Sequence, residues 1–386
     1  MSDEVPARRL AALSRREAGS LIDLLVGSVR AYGLDDRRDD LSRLIARAPV
    51  ELLPEAAALH RVSGVVLESL HGVPGVPEST LESLAGRRRL ARVNHLRASQ
   101  ALHAVARDFR TADVSWVVMK GPVLASSLYS DSGDREYGDL DLLIRPTNLP
   151  CVVALLEQSG YEHDLKNWPL AERFMASEFN MCRGPIDIDV HWHFVYSAPD
   201  RRRFDLDPVE MIDRSEEHDV AGFSVPTFDS VDMLLHLAFH ASRSGAHRLV
   251  WLKDIERCLA IETPDLTELV RRARRYGCGP SVAVALDRAR LVGAKVPEKV
   301  LAALADRSLL AAERRVRAIS SPHRLHEHDT LARLLARSVH GTARATVQAA
   351  VPRMWSAVRR RVIQPPVHET SDADERDHFL GLVAAS

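Results

Sequence analysis

Lysine is almost missing from this chain. Its 386 residues include 52 basic side chains, yet only five are lysines: Lys120, Lys166, Lys253, Lys295 and Lys299. Codon bias toward arginine in a GC-rich genome accounts for the skew in general, and it makes each remaining lysine a position to examine. Cysteine is scarce as well. Cys151, Cys182, Cys258 and Cys278 form no CxxC pair and no tight Cys/His spacing. That argues against a zinc ribbon or a disulfide framework and suits a reducing compartment. Long apolar runs are absent: none approaches the ~18 residues of a spanning helix. Residues 1–30 also lack the uninterrupted apolar stretch of a secretory signal. The expectation is a cytoplasmic protein without stable membrane insertion. An excess of either charge is missing too. Against 53 acidic residues the 52 basic ones leave a net charge of −1. This excludes a globally basic nucleic-acid binder but not a local basic face. No internal repeat or low-complexity tract is visible, and no Ser/His/Asp or Cys/His pairing has a context that would support a nucleophile.

What the chain does have is 46% hydrophobic residues, enough for sizeable cores, and a length that predicts two or three regions. Residues 1–110 read as a helical N-terminal region. Apolar residues recur at three and four in Leu21, Ile22, Leu24, Leu25 and Val29, and again in Leu90, Val93, Leu96, Leu102 and Val105. Pro and Gly punctuate a loop at 72–77. Residues 111–230 read as a mixed core. Ser115–Met119 is a short β-leaning run, Lys120-Gly121-Pro122 a turn into a helical pattern ending at Tyr129, and 130–138 a polar loop. Leu140–Ile144 is a second strand and 147–158 another helix. Phe179–Cys182, a Gly184-Pro185 turn and Ile186–Phe194 form a hairpin. Its second arm alternates strictly, so Asp187, Asp189, His191 and His193 face one side. Residues 231–363 read as a helical C-terminal domain, and 364–386, with Pro365-Pro366, as a loosely ordered tail. The fold class expected is α+β: a small mixed sheet flanked by mainly helical regions.

The chemistry concentrates in the core. Asp139 and Asp141 are two apart on a strand and share a face. Two carboxylates so placed repel each other unless a cation sits between them. Oxygen ligands of this kind suit Mg²⁺, which takes further oxygens from substrate phosphates. Asp187 or Asp189 on the hairpin arm supplies a third carboxylate, and spacing alone leaves the two open. Such a set clamps the attacking and leaving oxygens of an in-line phosphoryl displacement. The turn fits the same picture. Gly121 lets backbone approach a ligand closely. Pro122 is a favoured first helical residue, and the free N–H groups behind it would receive phosphate. Arg135 offers a planar fork to the same phosphates.

At these residues the sequence resembles the polymerase-β-like nucleotidyltransferase superfamily. More closely, it is similar to a bacterial family of uncharacterised nucleotidyltransferases. The resemblance lies in Lys120-Gly121, Leu124, Tyr129, Arg135, Asp139-Leu140-Asp141 and Asp189-Val190-His191-Trp192. It continues in Leu234–Leu237 with His240, and in Arg248–Asp254. It spans roughly residues 90–300. The resemblance implies a mixed sheet flanked by helices that binds a nucleoside triphosphate, ATP foremost, with Mg²⁺ or Mn²⁺. It implies transfer of a nucleotidyl group to an acceptor (protein, small molecule or RNA) with release of pyrophosphate. Asp139, Asp141 and Asp189 would be the metal-binding and catalytic carboxylates, and Asp189 is preferred to Asp187 because the Asp-x-His-Trp pattern carries the likeness. Lys120, Gly121 and Arg135 would bind the nucleotide. The chain departs from the superfamily in having Gly121-Pro122 where Gly-Ser or Gly-Gly is usual, and in the 17 residues between Gly121 and Asp139. The alternative expectation is a protein of the same fold without catalysis, acting through a protein or RNA partner.

Other features read more plainly. His236 and His240, four apart among apolar neighbours, suit structural histidines better than a metal pair. His323, His326, His328 and Asp329 read as an exposed loop. Asp254 reads as the partner of an arginine or as a helix cap. Arg87–Arg89 with Arg92 and Arg97, and the Arg271–Arg275 stretch, read as solvated helix faces, with an anionic-partner surface as the rival reading of the former and an RNA or acidic-protein contact as that of the latter. A segment at 354–362 with Met354, Trp355 and Arg359–Arg361 has the make-up of a surface-lying amphipathic helix.

Overall fold

The computed structural model describes residues 9–34, 38–165, 167–319, 330–339, 342–346 and 373–386. The 323–329 histidine cluster and the 354–362 segment lie outside the described residues. At the centre is one seven-stranded mixed sheet. Its strands are β1 Trp116–Val118, β2 Asp139–Ile144, β3 Glu162–His163, β4 Glu178–Cys182, β5 Asp187–His191, β6 Glu216–Val220 and β7 Phe223–Thr227. They lie in the order β3-β4-β5-β2-β1-β7-β6. β2 runs parallel to β5 and β1 parallel to β7, and the other neighbours are antiparallel. Helices pack around this sheet, and the chain is an α+β protein.

The central strands form because their residues want burial. Val117 and Val118, Leu140, Leu142, Leu143 and Ile144, and Ile188 and Val190 are all fully buried. Such near-continuous apolar strands suit the middle of a sheet covered on both faces. The polar residues that interrupt them, Asp139, Asp141, Asp187, Asp189 and His191, therefore need a reason to be there.

Two expectations change. The apolar stripe of the long Glu78–Thr111 helix is not Leu90-Val93-Leu96. Those three are exposed, Leu96 by 65%. The buried stripe is Leu84, Ala91, His95, Ala98, Leu102, Val105 and Phe109. Its small residues let the helix lie close to its neighbours, and a count of large apolar side chains alone misses that. The tail also orders from Ala373. The Ala373–Ala384 helix packs on the helices Leu149–Gln158 and Trp168–Phe174. Phe379, fully buried, meets the rings of Trp168 at 5.8 Å and Trp192 at 6.1 Å. Three apolar side chains, Phe379, Leu380 and Val383, are enough to dock it.

Candidate active site

β2 and β5 bring their acidic residues into one rank. Asp139 is opposite Asp187, Asp141 opposite Asp189, and Leu143 opposite His191. Ligand atoms of Asp141, Asp189 and His191 lie within 4.8 Å of one another. Asp139 stands one step toward the start of β2, half-buried on the rim of an open cleft. Asp187, opposite it, is not part of the three-residue cluster.

Lys120 leaves β1 directly over this rank. Met119 N–H still donates to the Asp141 carbonyl at 3.0 Å, so the next side chain arrives at β2. Its Nζ lies 2.9 Å from Asp141 Oδ1. His191 completes the arrangement. Its Nδ1 is 2.9 Å from Glu178 Oε2, and its Nε2 approaches Asp141 Oδ1 at 3.6 Å, too far for a hydrogen bond but close for an ion contact.

The electrostatics follow from these distances. Burial raises the Asp141 pKa, but Lys120 and His191 outweigh it and hold the carboxyl well below the usual range. Burial lowers that of His191, but Asp141 and Glu178 outweigh it and lift the ring to about 9. Asp189 goes the other way: burial and repulsion from Asp141 push it up to about 7. Two adjacent carboxylates on buried strands thus divide their charge unevenly. This donor chemistry fits a hard divalent cation, which favours ionisation of both. The Glu178–His191 contact also matches the carboxylate–histidine pairing that orients a ligating imidazole.

Gly121 makes the turn possible. Its φ is 61° and its ψ −120°, a conformation that side chains disfavour. A Cβ there would meet the Asp139 carbonyl oxygen at 3.3 Å and the Tyr137 ring at 3.5 Å. Gly121→Ala is expected to cost about 1–3 kcal/mol in urea unfolding. An unchanged midpoint would show that the turn relaxes freely. The helix behind it, Pro122–Ser127, has six residues and no side-chain cap.

Arg135 takes a different place from the one expected of a phosphate fork. Its Nε and Nη2 each donate to Asp254 at 2.9 Å, and its Nη1 donates to the Gly121 carbonyl at 3.3 Å. Tyr129 Oη donates to the same carboxylate at 2.8 Å. Asp254 does pair with an arginine, and the pair buttresses the Gly121 turn from below. The long 130–138 loop is tied down as well. Arg88 Nε lies 2.8 Å from Asp134, Arg92 Nε donates to Asp131 at 2.8 Å, and Tyr32 donates to Asp134 at 2.9 Å. The arginines of the long helix thus anchor this loop, rather than forming only a solvated face.

The cleft holds about 490 Å³. Its lining includes Lys120, Gly121, Arg135, Glu136, Asp139 and Asp141, together with His240, Trp251 and the arginines Arg61, Arg248, Arg333 and Arg337. His236 does not reach it. The ring is buried between Phe194 and Phe228, at 5.5 and 5.4 Å, and burial keeps it neutral, with a pKa down to about 3. In the 271–275 stretch, Arg271 and Arg272 pair with Glu268, Arg275 with Glu210, and Arg274 donates to the Ala303 carbonyl.

Sequence reasoning missed His191 and Glu178 as members of the site. The hairpin turn at 184–185 was a usable signal, since folding the arms about it sets Glu178 opposite His191, as observed. The family described as uncharacterised nucleotidyltransferase matches residues 48–294, well over half of the chain and the whole sheet. No curated protein matches the chain.

Proposed function

Since this chain belongs to the uncharacterised nucleotidyltransferase family and is a transferase of phosphorus-containing groups, we propose that it moves a nucleoside monophosphate from a nucleoside triphosphate to an acceptor hydroxyl. ATP is the proposed donor and Mg²⁺ or Mn²⁺ the proposed ion. The observation that carries the reading is the Asp141–Asp189 pair on adjacent parallel strands with Lys120 Nζ 2.9 Å from Asp141.

Asp141 and Asp189 would hold the ion, with Asp139 at the rim as a further carboxylate and His191 as a neighbouring ligand or support. Of the two hairpin carboxylates, Asp189 is favoured over Asp187 because it is the one opposite Asp141. The ion, when bound, would offset the charge on the transferring phosphoryl oxygens and on the leaving group. Lys120 gives a compact point charge where the triphosphate arrives. Gly121 lets backbone pass close to the phosphates, and Arg135 with Asp254 keeps that turn in place. The acceptor oxygen bonds the α-phosphorus as the bond to the bridging oxygen breaks. The electron pair leaves with pyrophosphate, and the acceptor proton departs on the Asp189 side. Most of the rate enhancement is positioning and charge compensation.

The test is incubation of the full chain with Mg²⁺ and each triphosphate labelled on the α-phosphate, following pyrophosphate and label. Pyrophosphate release that stops with EDTA and returns with Mg²⁺ or Mn²⁺ is expected. Neither release nor metal-dependent triphosphate binding would replace this reading with a binding protein of the same fold.

A further inference from the structure

The chain has six tyrosines. Tyr32, Tyr129, Tyr137, Tyr161 and Tyr276 are buried, whereas Tyr196 is 46% exposed. Among the described residues the Tyr196 hydroxyl meets no hydrogen-bond partner. An exposed phenol is ordinary in itself, and what sets this one apart is where the backbone holds it.

Tyr196 comes shortly after β5, which ends at His191. The segment between them folds back against the start of β4. Trp192 N–H donates to the Ser177 carbonyl at 2.9 Å, and Ser177 Oγ donates to the Val195 carbonyl at 2.9 Å. On the other side, Arg201 Nη1 donates to the Val195 and Tyr196 carbonyls at 3.3 and 3.1 Å. Tyr196 is therefore pinned beside Ser177, the residue before Glu178. Glu178 Oε2 lies 2.9 Å from His191 Nδ1, and His191 belongs to the cluster with Asp141 and Asp189. The charges agree with this placement: burial, then Glu178 and Asp164, raise the pKa of the phenol. Asp164 is at hand because its N–H donates to the Asn180 carbonyl of β4 at 3.0 Å.

The two sides of the rank differ. The strand order β4-β5-β2-β1 sets Glu178, Asp189, Asp141 and then Lys120 across the sheet. Lys120 and Tyr196 therefore stand on opposite sides of the Asp141–Asp189 pair. In an in-line displacement the entering oxygen comes from the side away from the leaving group. With the leaving end of the triphosphate at Lys120, the entering side is that of β4.

We propose that Tyr196 is an acceptor, so that the chain transfers a nucleoside monophosphate to its own phenol. This rests on reading the cluster as a nucleotidyl-transfer site. Tyr196 Oη bonds the α-phosphorus while the bond from that phosphorus to the bridging oxygen breaks. The electron pair leaves with pyrophosphate, and the phenolic proton passes to the Asp189 carboxylate. A phenol whose pKa is raised arrives protonated, so a carboxylate on its side of the rank has work to do as the base. The neighbouring hydroxyls are engaged: Ser177 is fully buried and bonded to Val195, and Ser197 Oγ donates to Asp200 at 3.1 Å.

The experiment incubates the full chain with Mg²⁺ and ATP labelled on the α-phosphate, denatures it, and maps the label by peptide mass spectrometry. About one label per chain is expected, on the peptide carrying Tyr196, at a rate per molecule that does not change with protein concentration. Tyr196→Phe should cut the label by at least about tenfold and leave the affinity for Mg²⁺ and ATP within about twofold. Asp141→Asn should abolish the label as well. Label on another residue, label that persists in Tyr196→Phe, or a rate per molecule that rises with protein concentration would overturn the inference. Pyrophosphate release without covalent label would do so too, and would leave the transfer reading standing. Absence of both pyrophosphate release and metal-dependent ATP binding would sink that reading, and this inference with it.

Discussion

Asp141→Asn should lower nucleotidyl transfer by about a thousandfold or more while leaving the protein folded. Asp141 is the carboxylate on which the site converges. It faces Asp189 across the β2–β5 pair, holds Lys120 Nζ at 2.9 Å and receives His191 at 3.6 Å. Asparagine keeps the shape and one acceptor oxygen but removes the charge that would bind a divalent ion. The fold should tolerate it because asparagine fills the same space and the change removes the repulsion felt by Asp189. Asp189, now pushed up to about 7 by burial and then by Asp141, would lose its neighbouring negative charge and titrate lower. Lys120 and His191 lose the charged partner that they hold well below its usual range, so that relief is outweighed and a modest net loss of stability is expected at the urea midpoint. The checks are pyrophosphate release, metal affinity and a urea midpoint on the same sample. Asp189→Asn should behave alike. Asp187→Asn should stay near the parent, because Asp187 lies opposite Asp139 and outside the Asp141–Asp189–His191 cluster. An Asp141→Asn protein retaining more than about a tenth of the activity would remove this carboxylate from the chemistry.

Much of this arrangement was legible because the relevant strands carry period-two patterns. Leu140–Ile144 announces itself as a short apolar run and Ile186–Phe194 by alternation, and the strand period of two puts Asp139 with Asp141, and Asp187 with Asp189, on one face. What was not legible depends on pairing across distance. The β6–β7 hairpin went unread because β6 is Glu-Glu-His-Asp-Val, polar in its first four positions and at the edge of the sheet. Edge strands carry such charges, and they erase the apolar signal. Whether Lys120 meets phosphate alone or also Asp141 depends on the β1–β2 register, which no local pattern fixes. The long Glu78–Thr111 helix was seen but misphased, since its buried face uses alanine and histidine. Asp254 reads as an arginine's partner or a helix cap, but that it pairs with Arg135, 119 positions away, is a fact of the tertiary fold.

Asp254→Ala should be the most damaging single change to stability outside the apolar core. The carboxylate is 1% exposed and Arg135 5%. Removing it leaves a buried guanidinium without its counter-ion and Tyr129 Oη without its acceptor. Breaking one side of a buried pair costs about 3–5 kcal/mol, and the unsatisfied hydroxyl adds about 1–3 kcal/mol. Urea unfolding measures the sum. A loss below about 1 kcal/mol would place this pair among those that contribute little. The pair also has a second role that stability alone does not report. Arg135 Nη1 donates to the Gly121 carbonyl, so the network sets the turn where phosphate is proposed to bind. The double variant Arg135→Met, Asp254→Leu separates the two. Apolar replacement of a buried ion pair is often neutral or stabilising, so the double variant should recover most of the lost stability. Triphosphate affinity should stay reduced, because methionine cannot donate to Gly121. Recovery of both would make the pair a packing element alone, and recovery of neither would point to strain at Tyr129. Recovery of stability without affinity is the expected result, and it would mark Arg135 as a positioning residue beneath the Gly121 turn.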